Sequence, residues 1–244
     1  MTAKVIVILF SIISAALGAF PDDPKPCKYG DAECIGKLFE YYVSQKHNGD
    51  DSIGLTSIDP LPVKKIPVSV GSDSPVNVDL VVFNGKSDGV STLKFVKMKG
   101  FGKDIAVNHE IVSYSESLTT TGNYNLTGKV LLLPISGSDT CNITLLKTTL
   151  TFGWTGVPYE KDGETYMKPD KFYLRLEPQD VIVNFNNLYN DKALSENMNK
   201  ILNENIKELY AEISPFVDRG FTAIVRKVIT KVFATYPYEK FFMN

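Results

Sequence analysis

Histidine, tryptophan and cysteine are scarce in this chain: two, one and three residues of 244. So little histidine removes the usual proton carrier at neutral pH and a common metal ligand. His47 falls at a helix end and His109 on a polar stretch, so both are expected to be solvated rather than catalytic. There is no Gly-x-Ser-x-Gly elbow and no His-Glu-x-x-His pair. Gly85-Lys86-Ser87 ends like a phosphate loop, but Leu80 stands where its first glycine belongs. Gly100-Phe101-Gly102 begins like a dinucleotide turn, yet Ile105 occupies the third glycine position. The acidic pairs Asp22-Asp23 and Asp50-Asp51 read as solvated turns. The expectation is a non-enzyme with no catalytic residue, no metal and no cofactor.

A surplus of positive charge is also missing. Lys and Arg number 26 against 28 Asp and Glu, for a net charge of -2. That balance argues against nucleic acid or an anionic membrane as the main partner. Beyond residue 20 no segment is apolar and long enough to span a bilayer, so no stable membrane insertion is expected.

The apolar run that does exist lies at the start. Lys4 precedes Val5, Ile6, Val7, Ile8, Leu9 and Phe10, and the run continues to Leu17. Ala15, Ala16, Gly18 and Ala19 then offer a cleavage site before Phe20. That order predicts a signal peptide over residues 1–19 and a secreted, extracellular domain over residues 20–244. In an exported chain the closeness of Cys27 and Cys34 predicts a disulfide. Cys141 is left over and reads as a buried free thiol. Asn125-Leu126-Thr127 and Asn142-Ile143-Thr144 are N-glycosylation sequons.

The hydrophobic period changes twice along the chain. From residue 32 to about 47, Ile35, Leu38, Phe39, Tyr42 and Val43 share one helical face. From 53 to 185 the period is two: Ile66, Val68, Val70; Val76, Val78, Leu80, Val82; Phe172, Leu174, Leu176; Val181, Val183, Phe185. Turn signals such as Asn84-Gly85, Asp88-Gly89 and Asp162-Gly163 separate these runs and predict a mostly antiparallel sheet. A long strand is expected over 143–154, with Leu146, Leu150, Phe152 and Trp154 on one face.

After Asn190 the period is helical again. As one helix, residues 195–234 would run roughly 60 Å at 1.5 Å per residue. A compact domain of this size is roughly 45 Å across. The stripe is not a strict heptad, which favours an elongated domain over a protruding coiled coil. The expected fold is α+β, a curved antiparallel sheet wrapped along one long helix. Such a wrap encloses a cavity if its facing side chains leave room, and sequence alone does not distinguish that from a packed core.

Several ordered features resemble the insect takeout and juvenile-hormone-binding protein family, on its takeout side. They are Pro26-Cys27-Lys28 with Cys34; Ile58-Asp59-Pro60-Leu61; and Gly153, Gly156, Pro158, Tyr159, Asp162, Gly163 and Tyr166 in a strand–turn–strand. Asn187-Leu188-Tyr189 precedes the long helix, Asn197, Asn203 and Asn205 lie within it, and Pro237-Tyr238 with Phe241-Phe242 ends the chain. The resemblance spans nearly all of the mature chain. It implies a single domain like half of a bactericidal/permeability-increasing-type lipid-binding protein, with a tunnel for a lipophilic ligand. Juvenile-hormone-binding members carry a second disulfide to the C-terminal helix, and this chain has no cysteine after Cys141. The expected function is therefore that of a secreted carrier of a hydrophobic small molecule or lipid, long-chain, isoprenoid or fatty-acid-like, with a long, mostly uncharged chain favoured; juvenile hormone carriage or a filled-core interaction module are the alternatives. The expected state is a monomer with a hydrophobic small molecule as partner. Expected lining residues are Leu38, Phe39, Tyr42, Phe152, Trp154, Leu174, Met198, Leu202, Leu209, Ile213, Phe216 and Ile224.

Overall fold

The structure is a computed structural model and describes residues 20–21, 23–71 and 76–243. The expected signal peptide lies outside the described residues. The chain opens with β1 (Cys27–Lys28) and α1 (Ala32–Gln45). Asp31 caps α1, its side chain accepting from the Cys34 N–H at 3.1 Å. The Cys27–Cys34 disulfide is formed. It ties the helix start to β1, which pairs in parallel with β9 (Phe242–Met243) at the other end of the chain.

Between these termini lies one antiparallel sheet. Its path is β2 (Leu61–Val70), β3 (Val76–Asp88), β5 (Asn108–Val130), β6 (Leu133–Lys161) and β7 (Glu164–Glu177). β4 (Lys94–Lys99) adds to β5, and β8 (Asp180–Phe185) adds to β6. The expected strand over 143–154 is thus the middle of a 29-residue strand. β7 and β8 run along the same side of β6, pairing its later and earlier parts in turn.

Alternation holds within each strand, but the inward parity switches part-way. In β2 the buried residues are Leu61 and Val63, then Ile66, Val68 and Val70. In β5 they fall on odd numbers to Ser115, with Val112 buried on the other face, and on even numbers from Leu118. In β6 Leu145 is buried, and so are Thr148, Leu150, Phe152 and Trp154. Leu146, expected on the face of Leu150, is therefore displaced from it. The cause is Lys147, held at φ 48°, which rotates the strand between the two runs. Opposite it, the turn between β7 and β8 changes parity from Leu176 to Val181. These irregularities bend the long strands, which otherwise twist only gradually.

The sheet wraps two consecutive helices, α2 (Lys192–Glu204) and α3 (Ile206–Phe233). The single helix expected over 195–234 is interrupted at Asn205, whose side-chain amide donates to the Ile201 carbonyl at 2.8 Å. Pro215 stays inside α3. It has no N–H for the Ala211 carbonyl, and the Ser214 hydroxyl donates there instead at 3.3 Å. At 1.5 Å per residue α3 alone runs about 42 Å.

The helices are fastened to the outer edge of β7 and β8 by side chains. Asn199 accepts from Phe185 N–H at 2.8 Å and donates to its carbonyl at 2.9 Å. Asn203 does the same at Val183, at 2.9 and 2.8 Å. Further along, Asp218 accepts from Leu176 N–H and Thr222 from Leu174 N–H, both at 3.0 Å. On the opposite flank a Cβ on Gly220 would lie 2.7 Å from the Ile66 side chain, so α3 lies directly on β2. Cys141 is buried and free, and burial pushes its thiol up to about 11. Asn125 and Asn142, the sequon residues, are exposed on β5 and β6.

Removing an edge-pairing amide orphans a backbone N–H and a carbonyl together. Each orphaned group costs about 1–3 kcal/mol. Asn203→Leu is therefore expected to lower stability by about 2–4 kcal/mol in urea unfolding, while the exposed Asn197→Leu stays within about 0.5 kcal/mol. Equal effects of the two substitutions would remove the edge-pairing role.

Candidate functional site

Two apolar cavities lie between the sheet and the helices. The larger, about 280 Å³, sits under α1 and the C-terminal half of α3. The smaller, about 110 Å³, sits between β2, β3, β8 and the N-terminal half of α3. One water needs only about 10–15 Å³ of such space, so neither is a packing defect. Thr120, Leu145 and Phe221 line both cavities and form the waist between them. Among the described residues no Asp, Glu, Lys, Arg or His lines either one. The residues with polar side chains among the described lining are Tyr42, Ser87, Thr120, Trp154 and Tyr210.

Phe39, Tyr42, Phe152, Trp154 and Leu174 line the larger cavity, and Leu202, Leu209 and Ile213 the smaller. Met198 is buried but lines neither. Leu38 points to the far side of α1, where it borders a surface groove with Pro24 and Tyr41. Phe216 and Ile224 border an outer groove between α3 and β2, and Arg219 lies over the Phe216 ring at 4.3 Å. The helix residues that do face inward include Val217, Phe221, Val225, Val228 and Val232. Val217, Phe221, Val228 and Val232 belong to the apolar stripe visible in the sequence. What the stripe does not reveal is which of its three columns points at the sheet's interior.

Aromatic rings close the wide end. Trp154 is stacked between His109 and Phe172, with centroids at 5.6 and 5.7 Å. Phe233, Tyr238, Phe241 and Phe20 continue the cluster. His109, expected to be solvated, is 1% exposed. Its neighbours along β5 are polar, but it pairs across the sheet with Trp154, which places it among rings. Its Nδ1 accepts from Phe101 N–H at 3.1 Å, so Nε2 carries the proton and donates to the Ile105 carbonyl at 3.1 Å. His47 is half-buried at the end of α1, against the Ser44 carbonyl at 2.9 Å. Neither histidine stands beside a nucleophile that these bonds identify. Among the described residues no His, Cys, Asp and Glu group is arranged to hold a metal, and no helix is long and apolar enough to cross a membrane.

A sheet wrapped on a helix pair around charge-free cavities defines a class of hydrophobic-ligand-binding proteins. The chain belongs to the haemolymph juvenile hormone binding protein family, whose model matches residues 5–243. It is similar to the circadian clock-controlled protein daywake of Drosophila yakuba, 23% identical over 236 residues, which cover 94% of this chain and 90% of that protein. The crystal structure of Takeout 1 from Epiphyas postvittana has the same fold. Its TM-score is 0.76 at 21% identity, over 87% of this chain and 96% of that one. A crystal structure of lipopolysaccharide binding protein overlaps 84% of this chain and 39% of its own, at TM-score 0.39 and 10% identity. That likeness is too distant to bear on the half-protein expectation.

Burial pushes the His109 imidazole below its ordinary value, against the smaller opposing pulls of the Ile105 carbonyl and Asp104. The folded chain therefore binds this proton less readily than the unfolded one. The histidine's contribution to stability is complete above about pH 6.5 and is lost as pH falls toward the lower folded value. Between about pH 7.5 and 5 the parent protein should lose more stability than His109→Gln in matched urea titrations. Parallel losses in the two proteins would mean that His109 does not titrate in this window.

Proposed function

We propose that the protein is a secreted carrier that sequesters one long, uncharged lipid-like molecule across the two cavities. The observation that carries this reading is the waist. Among the described residues, only Thr120, Leu145 and Phe221 are shared by the two charge-free cavities, so displacing a few side-chain atoms joins them into one lengthwise site. Each methylene buried there contributes about 0.8 kcal/mol, and ten give about 8 kcal/mol before the cost of association. An ionised head group would find no counter-charge and would lose its hydration, which disfavours fatty acid anions.

Export is supported by the sequence of residues 1–19 and by the Cys27–Cys34 disulfide. In the extracellular reading Asn125 and Asn142 are available acceptors for glycan, and the chain acts as a monomer. Juvenile hormone is a second reading, because the family's description names it. The lack of a cysteine in the C-terminal helix speaks against it, since the members that bind that hormone have a disulfide there. A filled-core interaction module is the weaker alternative, given two cavities of this size.

Protein purified from insect cells without delipidation should show, in native mass spectrometry, a single neutral lipid adduct. Phe221→Ala should extend the longest n-alkane retained in a chain-length series by several carbons. Absence of any adduct from both proteins, with no uptake of added alkane, would sink the carrier reading.

A further inference from the structure

We propose that the ligand carries an uncharged oxygen acceptor, held by the indole N–H of Trp154, with its chain running from there toward the waist. This rests on the carrier reading and adds the chemistry and orientation of the cargo.

Trp154 is 2% exposed and lines the larger cavity. Its Nε1–H is a donor with no acceptor among the described residues. An indole cannot rotate its hydrogen to a better place, as a hydroxyl can, and it has no accepting role. Three other buried polar atoms lack partners: Ser113 Oγ, Thr148 Oγ1 and Tyr166 OH. None of those residues lines either cavity. Among the described residues, Trp154 alone combines a buried unmet donor with a cavity wall.

Neither ring stacked on the indole supplies an internal acceptor. His109 on one side of the ring already uses both nitrogens, accepting from Phe101 N–H and donating to the Ile105 carbonyl. Phe172 on the other side is apolar. With both ring faces stacked, an acceptor reaches the indole only along the part of its edge that Phe101 and Phe233 leave open. An N–H of this kind suits a carbonyl, ether or hydroxyl oxygen. A carboxylate would bring a full charge to one neutral donor in a cavity with no cation, and a cation would find neither an acceptor on the indole nor a counter-charge in the lining.

The remaining polar lining near the waist is the Ser87–Thr120 pair, and it ranks second. There the Thr120 hydroxyl donates to Ser87 Oγ at 3.1 Å, so the two groups partly satisfy each other. A ligand whose oxygen sits at Trp154 extends its chain past Leu145 and Phe221 without leaving an unmet polar group behind.

Trp154 is the sole tryptophan, so one indole resonance reports the bond directly. The experiment titrates delipidated, full-length mature protein with an n-alkane and with a methyl ketone of the same chain length. The ketone is expected to move the single indole ¹H–¹⁵N resonance downfield, and the alkane is not. Trp154→Phe keeps a ring in the stack and removes the donor. It should weaken the ketone about tenfold, as for loss of one buried hydrogen bond, and leave the alkane within about twofold. Equal changes in the two affinities, or an unmoved indole resonance with ketone bound, would overturn the assignment. So would a ketone loss that follows Thr120→Val rather than Trp154→Phe, which would place the oxygen at the waist. Failure of the alkane as well as the ketone to bind the parent protein would defeat the carrier reading itself.

Discussion

The open edge of β7 and β8 is what fixes the rest of this molecule. A strand edge buried against a helix leaves backbone groups that neither water nor another strand can reach. Asn199 and Asn203 solve this by offering an amide, donor and acceptor together, to one residue each of β8. Asp218 and Thr222 continue the series along β7 with acceptors only. Both pairs are four residues apart, the spacing at which side chains share a helix face. The hydrogen bonds therefore set the rotation of the helices about their own axis. Burial raises the Asp218 carboxyl above its ordinary range, and the Leu176 N–H draws it partly back.

That rotation decides which residues see the cavities. In α3, Val217, Phe221 and Val225 face inward, Asp218 and Thr222 turn to β7, and Phe216, Gly220 and Ile224 turn to β2. The three columns are 100° apart, one residue of helix each. The apolar stripe is wider than the cavity because the helix also packs on β2. Phe216 and Ile224 look like lining residues in the sequence for that reason, and lie outside it in the fold. Hydrophobicity marks what avoids water, and only the polar column at 218 and 222 tells the two apolar columns apart.

Legibility in the sequence followed the same division. Strand alternation, the disulfide, the long helical stripe and the wrap all rest on local period or on short spacings, and those signals were strong. The switches of parity did not show. Lys147 takes positive φ without being glycine, and nothing in its neighbours marks it; Asn84-Gly85, which reads as a turn between strands, lies inside β3 at a shift of its register against β5. Leu146 was consequently expected where Leu145 now stands. The burial of His109 is hidden for another reason: two of its ring partners, Trp154 and Tyr238, come from far along the chain. The interruption at Asn205 belongs with these, since a single asparagine inside an apolar stripe is ordinary in a continuous helix too. The family resemblance carried the functional expectation, because period and spacing were neutral between a packed core and a hollow one.

A hollow core has an energetic consequence that links fold and function. Voids lined by aliphatic side chains destabilise by about 24 cal/mol per Å³ in engineered cases, so a space of about 280 Å³ costs on the order of several kcal/mol when empty. A typical domain has only about 5–15 kcal/mol of net stability. The empty protein must recover that loss elsewhere, and the places are identifiable: a 29-residue strand paired along both its sides, the side-chain ladder on β7 and β8, and the ring cluster and disulfide that join the two chain ends. These lie around the cavities rather than in them, so a rigid frame surrounds a soft interior. A ligand that fills the interior binds the folded chain alone and adds its binding free energy to stability. The bonded frame holds the space open, and a ligand seated in it would supply the contacts that the empty core lacks.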